Sequence, residues 1–252
     1  MIYGPQETGA LFVSANFRDK IITKFLSSFG LRLVHIKKFN PTLRKIGRDW
    51  PITAHTMIGL KRLDNIQFCI EEILKNNIKG DLIEAGIWRG GATIFMRAVL
   101  KAYNEKNRTV YVADSFKGLP KPNFKKFPED PNSNLHKLDY MSFPLTKVKT
   151  NFKSYNLLDG QVRFLEGWFK DTLPKAKIKK LSLIRADADY YESTMDILTN
   201  LYPKLSRGGY VIVDDFRILP ACHQAVLDFR KANKIRDKII TIDWSAVYWK
   251  KN

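Results

Sequence analysis

Residues 81–92 read Asp81-Leu82-Ile83-Glu84-Ala85-Gly86-Ile87-Trp88-Arg89-Gly90-Gly91-Ala92. A short apolar strand over 81–84 runs into a glycine turn and then into an apolar helix over about 92–103. The same alternation repeats down the chain. Strands are expected over 109–114, 161–166, 181–187 and 210–215, with helices over about 145–155, 192–205 and 221–233. Strands alternating with helices imply parallel βαβ units covered by helices on both faces. Segments 239–243 and 246–250 are separated only by Trp244-Ser245, too short for a helical crossover, so they are expected to pair antiparallel. Upstream, Ile66, Ile70, Ile73, Leu74 and Ile78 fall on one helical face, and Lys79-Gly80 is read as that helix's stop. The fold class is α/β and Rossmann-like, a mostly parallel seven-stranded sheet with a terminal antiparallel hairpin.

The 252 residues suffice for one such domain with a large core. A hydrophobic content of 44% excludes a disordered chain. No apolar run approaches the roughly 18 residues of a membrane span, and residues 1–17 lack the basic start and apolar stretch of a secretory leader, so a cytoplasmic location is expected. Cys69 and Cys222 are isolated thiols that support neither a disulfide framework nor a zinc site and are read as packing residues. The net charge of +18 would attract nucleic acid, anionic lipid or anionic substrates, but solvated lysines explain it equally well. Residues 1–60 are basic and irregular and are read as a lid or extension on a domain spanning 61–252. Within them, segment 19–39 carries Ile21, Ile22, Phe25, Phe29, Leu31, Leu33 and Val34 among basic residues. It reads as one or two helices over a core; the break at Ser28-Phe29-Gly30 weakens a membrane-surface helix. Residues 115–144, with five prolines from Pro120 to Pro144, read as a lid or binding loop at the sheet edge where ligands bind in open α/β folds.

Five strand ends carry chemistry. After the first, Gly86 and Gly90 are spaced without the second glycine of a pyrophosphate cradle, which disfavours a nicotinamide enzyme. The turn suits a phosphate-free ligand whose ammonium meets Glu84, or it is an ordinary βα turn. Asp114 ends the second strand, where a carboxylate can accept both hydroxyls of a ribose, or serve as a cap or turn residue. Gly167-Trp168-Phe169 follows the third, with an aromatic placed to stack on adenine or simply to fill core. Asp187-Ala188-Asp189 and Asp214-Asp215 end two further strands that read as apolar up to these residues. Four like charges there are mutually destabilising unless a cation joins them or protons are held. Oxygen ligands select Mg²⁺ or Ca²⁺, and the absence of His argues against zinc. The plain alternative is that each Asp caps a helix.

Together these residues resemble the catechol O-methyltransferase type of class I methyltransferase, whose sheet also ends in an antiparallel hairpin. The sequence is more closely similar to the macrocin (TylF/MycF) O-methyltransferase family of antibiotic biosynthesis. The similarity is carried by Thr56-Met57-Ile58-Gly59, Gly86 to Gly91, Ala113 to Pro120, Gly167 to Pro174, Asp187 to Thr194 and Gly208 to Asp215. It implies Mg²⁺-dependent transfer of a methyl group from S-adenosylmethionine to a sugar hydroxyl, in a natural-product glycoside or a surface glycan. Asp187, Asp214 and Asp215 would hold the metal, and Asp189 would be the general base. Thr56, Met57, Glu84, Gly86, Asp114, Ser115, Gly167, Trp168 and Asp187 would bind the donor. Ala188 replaces the usual glycine of an Asp-Gly-Asp triplet, expected to be a mild change. Tyr190 stands where catechol-type enzymes carry a lysine, so a different acceptor is expected. The alternative is an RNA methyltransferase, suggested by the charge. Against it, the sequence lacks the Asn/Asp-Pro-Pro-aromatic and Pro-Cys motifs of such enzymes. A non-catalytic binding module would predict broken ligand positions, and here they are filled. The expected partner is a small glycoside or sugar; nucleic acid is disfavoured, no transmembrane segment is expected, and a homodimer or higher homo-oligomer is admitted.

Overall fold

The computed structural model describes residues 28–29, 39–51, 53–130 and 134–252. Most of segment 19–39, where helices are expected, lies outside the described residues. The chain divides into two compact units between Leu60 and Lys61. In the first, helix α1 (Pro41–Lys45) starts with proline in its first turn and is capped by Asn40, whose Oδ1 accepts from Leu43 N at 3.0 Å. Gly59 lies against the end of this helix: a Cβ there would fall 2.2 Å from Gly47 N.

The second unit begins in helix α2 (Leu60–Lys75) and carries β1 (Asp81–Ala85), α3 (Gly91–Ala102), β2 (Val110–Asp114), α4 (Leu145–Ser154) and β3 (Val162–Glu166). There follow α5 (Phe169–Thr172), β4 (Leu181–Ala186), α6 (Tyr191–Leu201), β5 (Leu205–Val213), α7 (Pro220–Ala232), β6 (Ile240–Thr241) and β7 (Val247–Lys250). The seven strands form one sheet in the order β3-β2-β1-β4-β5-β7-β6. β1 to β5 are parallel, and β7 pairs antiparallel with both β5 and β6. The strand order reverses direction at β1 and β4, where open α/β sheets form their ligand crevice.

Period-2 alternation sorts the side chains. Ile83, Ala85, Ile184, Val211 and Val213 join Ile197, Leu198, Val226 and Phe229 of α6 and α7 in one core layer. On the β2–β3 side, Val112 and Val162 pack with Ile94, Val148 and Phe152 of α3 and α4 in another. Phe68 of α2 meets the Tyr210 and Tyr248 rings edge-on at 6.2 Å. Both cysteines are buried and unpaired with each other.

Three boundaries differ from the sequence reading for local reasons. Helix α2 stops at Lys75, not Lys79: Asn77 takes a left-handed φ of 51°, and Ile78 N returns to Ile73 O at 2.9 Å. Helix α6 stops at Leu201 because Pro203 follows, and a single 3₁₀ turn (Tyr202–Lys204) leads to a strand that begins at Leu205 rather than 210. β4 is also not apolar throughout, because Arg185 sits within it, fully buried.

Candidate active site

The parallel register sets Glu84 of β1 beside Arg185 of β4. Strand alternation points both away from the layer that holds Ile83 and Ala186. A guanidinium inside a sheet requires partners, and Arg185 has three. Its Nη1 donates to Glu84 Oε1 and, at 2.9 Å, to Asp187 Oδ2; its Nη2 donates to Asp214 Oδ1 at 2.5 Å. Glu84 Oε2 accepts from Thr93 of α3. Arg62 of α2 donates to the other oxygen of Asp214 at 2.5 Å, and its Nε lies 3.0 Å from Asp243 Oδ2, an ion pair without an aligned hydrogen bond. Asp243 in turn accepts from Ser245 and Ala246, closing the β6–β7 turn, and Ser245 Oγ donates to Asp214 O at 2.7 Å. A charged chain therefore runs from β1 to the terminal hairpin.

Asp187, Asp214 and Asp215 lie just past the ends of β4 and β5, with one ligand oxygen from each within 4.8 Å of the others. They differ in environment. Burial would raise Asp214, but Arg185 and Arg62 outweigh it and hold this carboxyl below its usual range. Asp215 is pushed well up by burial and then by Asp189, Asp187 and Asp214, and its Oδ2 is buried without a hydrogen-bond partner. Burial and the neighbouring Asp214 also raise Asp187, although its side chain is 31% exposed and so opens the cluster to solvent. An orphaned buried oxygen among like charges, with oxygen donors only, is the chemistry of a hard-cation site. The three carboxylates fit Mg²⁺.

Asp189 stands two residues further, with a left-handed φ of 58°. Its carboxyl is raised to about 7, by burial first and then by Asp187 and Asp214. Ala188 keeps a negative φ and packs in the core, so the strained conformation falls on Asp189 and alanine is accommodated in the triplet.

The turn after β1 is built for close approach. Gly86 has φ 87°, and a Cβ on it would fall 1.6 Å from Asp187 O. Gly86→Ala should therefore cost about 3 kcal/mol or more of stability, combining a clash with left-handed strain. Denaturant unfolding measures this, and wild-type stability in the variant would contradict it. Gly90 caps α3 at φ 86°, where a Cβ would press on Val148 and Phe152. Asp114 holds this turn: its Oδ2 accepts from Ile87 N at 2.8 Å and its Oδ1 from Phe116 N at 2.7 Å. Ser115 is used locally, its Oγ donating to Gly118 O and accepting from Lys117 N. Gly167 N donates to Asp114 O, bringing the β3 turn beside the β2 end. Trp168 lies on an open groove with Tyr111, Arg163 and Leu165, beside the core rather than within it. Thr56 and Met57 belong to the first unit, where Thr56 Oγ1 accepts from Ile58 N at 3.3 Å.

The loop after β2 is tied down at two points. Trp88 Nε1 donates to Tyr140 O at 2.7 Å, and the Arg89 guanidinium stacks on the Trp88 ring at 4.3 Å and over Phe143 at 5.3 Å. Further back, Asp130 accepts from Tyr191 N and Glu192 N at the start of α6. Sequence reasoning missed Asp130, Arg62 and Asp243 entirely. Arg185 was missed too, although it leaves a signal, a lone charge in a largely apolar run.

The sheet order, the glycine turn at β1, the carboxylate ending β2 and the acidic cluster after β4 and β5 define a class I, S-adenosylmethionine-dependent methyltransferase. Comparison with known proteins narrows this: residues 3–251 match the family model described as macrocin O-methyltransferase (TylF), and the chain belongs to that family. It is 51% identical over 214 residues to a demethyldecarbamoylnovobiocin O-methyltransferase from Streptomyces niveus, covering 84% of this chain and 82% of that one. It is 52% identical over 208 residues to 8-demethyl-8-(2,3-dimethoxy-alpha-L-rhamnosyl)-tetracenomycin-C 4'-O-methyltransferase from Streptomyces olivaceus, covering 82% and 79%. The structure of the O-methyltransferase NovP superposes with a TM-score of 0.84 at 51% identity, covering 86% of this chain and 90% of that chain. No helix among the described residues is long and apolar enough to cross a membrane.

Proposed function

We propose that this chain methylates a hydroxyl of a sugar moiety on a natural-product glycoside, with Mg²⁺ held by Asp187, Asp214 and Asp215. The observation that carries the reading is the trio of carboxylates at two adjacent strand ends, one of them with an unpartnered buried oxygen. The relatives' names supply the acceptor class, one of them naming a rhamnosyl group. The RNA alternative gains nothing from these relatives, and the carboxylate cluster would repel a phosphate backbone.

Mg²⁺, when bound, lowers the pKa of an acceptor hydroxyl beside it. The residues of the chain do the rest. Arg185 and Arg62 fix Asp214, and Arg185 also fixes Asp187, so two ligand carboxylates are held before any ligand arrives. Asp189, with its raised pKa, takes the acceptor's proton as the oxygen attacks the methyl carbon and the carbon–sulfur bond breaks. The electron pair of that bond stays on sulfur and leaves neutral S-adenosylhomocysteine. Alignment of oxygen, carbon and sulfur supplies much of the remaining rate. Asp114 would accept from the ribose of the donor, Gly86 would let the chain's own backbone approach the donor at the sheet edge, and Trp168 would lie against its adenine.

The decisive experiment offers methyl-labelled S-adenosylmethionine with a panel of deoxysugar glycosides and, separately, with RNA. Label in a glycoside, lost with chelator and restored by Mg²⁺, is the expected result; label in RNA alone would overturn the reading. A second expectation concerns the donor. Asp114→Ala should lose roughly 1–3 kcal/mol of S-adenosylhomocysteine affinity by calorimetry, the usual cost of removing a buried charged hydrogen-bond partner. Chelator should leave that affinity unchanged, since Asp114 belongs to β2 and the acidic cluster to β4 and β5. Unaltered binding by the variant would remove the ribose role.

A further inference from the structure

Helix α6 begins at Tyr191, directly after the turn that carries Asp189, and its N-cap position is Tyr190. Tyrosine is not a capping residue, because its hydroxyl is too far from its own backbone to meet the first amides of the helix. Those amides are met from another part of the chain. Asp130, 61 residues earlier, accepts from Tyr191 N at 2.5 Å through Oδ1 and from Glu192 N at 3.4 Å through Oδ2. Its side chain is enclosed, the residue being 3% exposed. Its segment is itself folded: Asp130 N donates to Phe127 O at 3.1 Å, Phe127 N to Asn123 O at 2.8 Å, and the Phe127 ring lies 6.0 Å from that of Tyr191.

Asp189 thus sits between two fixed points. On one side Asp187 N donates to Ala85 O, and Arg185 holds the Asp187 carboxylate. On the other, Asp130 holds the first two amides of α6. Between them the turn is tight, with Tyr190 N donating to Ala188 O at 2.5 Å and Asp189 in a left-handed conformation that an L-residue keeps only when its surroundings impose it.

We propose that Asp130 is a positioning residue for methyl transfer: by capping α6 from the loop that follows β2, it imposes the backbone conformation that aims Asp189 at the acceptor. The inference rests on Asp189 being the base. It assigns to the loop a part in building the catalytic turn, separate from any contact with the acceptor.

The test is a double-mutant cycle on the full chain, read by steady-state kinetics and by calorimetry with S-adenosylhomocysteine. Asp130→Ala should lower kcat by about tenfold to a hundredfold, the range expected when a catalytic group is displaced by about 1 Å. The KM for S-adenosylmethionine and the affinity for S-adenosylhomocysteine should not move. Asp130→Asn keeps a carbonyl oxygen for Tyr191 N and should restore most of the rate, as asparagine ranks with aspartate as a cap. In the Asp189→Asn background, Asp130→Ala should cause no further loss. Equal losses in both backgrounds would overturn the proposal while leaving the base in place. Full turnover in Asp189→Asn alone would instead remove the base, and the proposal with it. An Asp130→Asn enzyme that folds yet is as slow as Asp130→Ala would also overturn the proposal, because a working cap would then not be what matters.

Discussion

Chelation should silence the enzyme, and Asp215→Ala should remove both its activity and its response to Mg²⁺. The physical basis is a charge imbalance. Glu84, Asp187, Asp214 and Asp243 each lie against Arg62 or Arg185, whereas Asp189 and Asp215 form no ion pair among the described residues. Asp215 carries the orphaned oxygen, so it is the carboxylate with most to gain from a cation and least structural reason to be present without one. Two effects of opposite sign follow. In chelator, Asp215→Ala should be at least as heat-stable as wild type, because a buried like charge has been relieved. With Mg²⁺ at about a hundred times its dissociation constant, wild type should gain about 2.7 kcal/mol from linkage, and the variant should gain little. Thermal melts with and without Mg²⁺, beside methyl-transfer rates, read both. A chelated enzyme of full activity would refute the metal mechanism. A variant much less stable than wild type in chelator would show that Asp215 is structural. Asp214→Ala is the less informative choice, since it also takes one partner from each of two buried guanidiniums, Arg62 and Arg185, and breaking such pairs typically costs about 3–5 kcal/mol.

The sheet was legible because several of the parallel strands announce themselves twice, by a largely apolar run and by a polar residue at or just past its end. Val110 to Asp114 and Leu181 to Asp187 show this: the ladder stops within one residue of the carboxylate in both. The terminal hairpin followed from the shortness of Trp244-Ser245. The acidic cluster was legible for the same reason, since parallel strands bring their ends together without further information. What was hidden is what depends on contact between distant segments. Arg62 is an unremarked basic residue in an amphipathic helix until α2 is laid over β5, where it meets Asp214 and Asp243. Asp130 lies in a proline-rich loop with no periodicity, and its partners are backbone amides, which no side-chain pattern encodes. Glu84 illustrates a subtler loss. Its place at the strand end is plain, but its oxygens are occupied by Arg185 and Thr93, and burial pushes its carboxyl up to about 7 against both. An ammonium that sought Glu84 would share it with Arg185.

Asp189→Asn should keep metal and donor binding yet lose about a hundredfold to ten-thousandfold in turnover, the usual worth of a positioned base. Asparagine is nearly isosteric and, like aspartate, tolerates the left-handed backbone found here, so the turn and the Asp130 cap should survive. The substitution removes the capacity to take a proton. It also removes a like charge beside Asp187 and Asp214, so Mg²⁺ affinity should fall modestly and thermal stability without metal should hold or rise. The size of the effect depends on the acceptor. An aliphatic sugar hydroxyl is far less acidic than a catechol, and Tyr190 occupies the place where catechol-type enzymes carry a lysine, so that lysine is not there to share the work of Asp189. A series of acceptors of falling hydroxyl pKa should therefore narrow the gap between wild type and variant, the most acidic acceptor depending least on Asp189. Rates measured at saturating Mg²⁺ and donor separate this from a binding defect. A variant with wild-type turnover on a sugar acceptor would remove the base while leaving metal activation standing. A gap that stayed constant across the series would assign Asp189 to holding the acceptor rather than to accepting its proton.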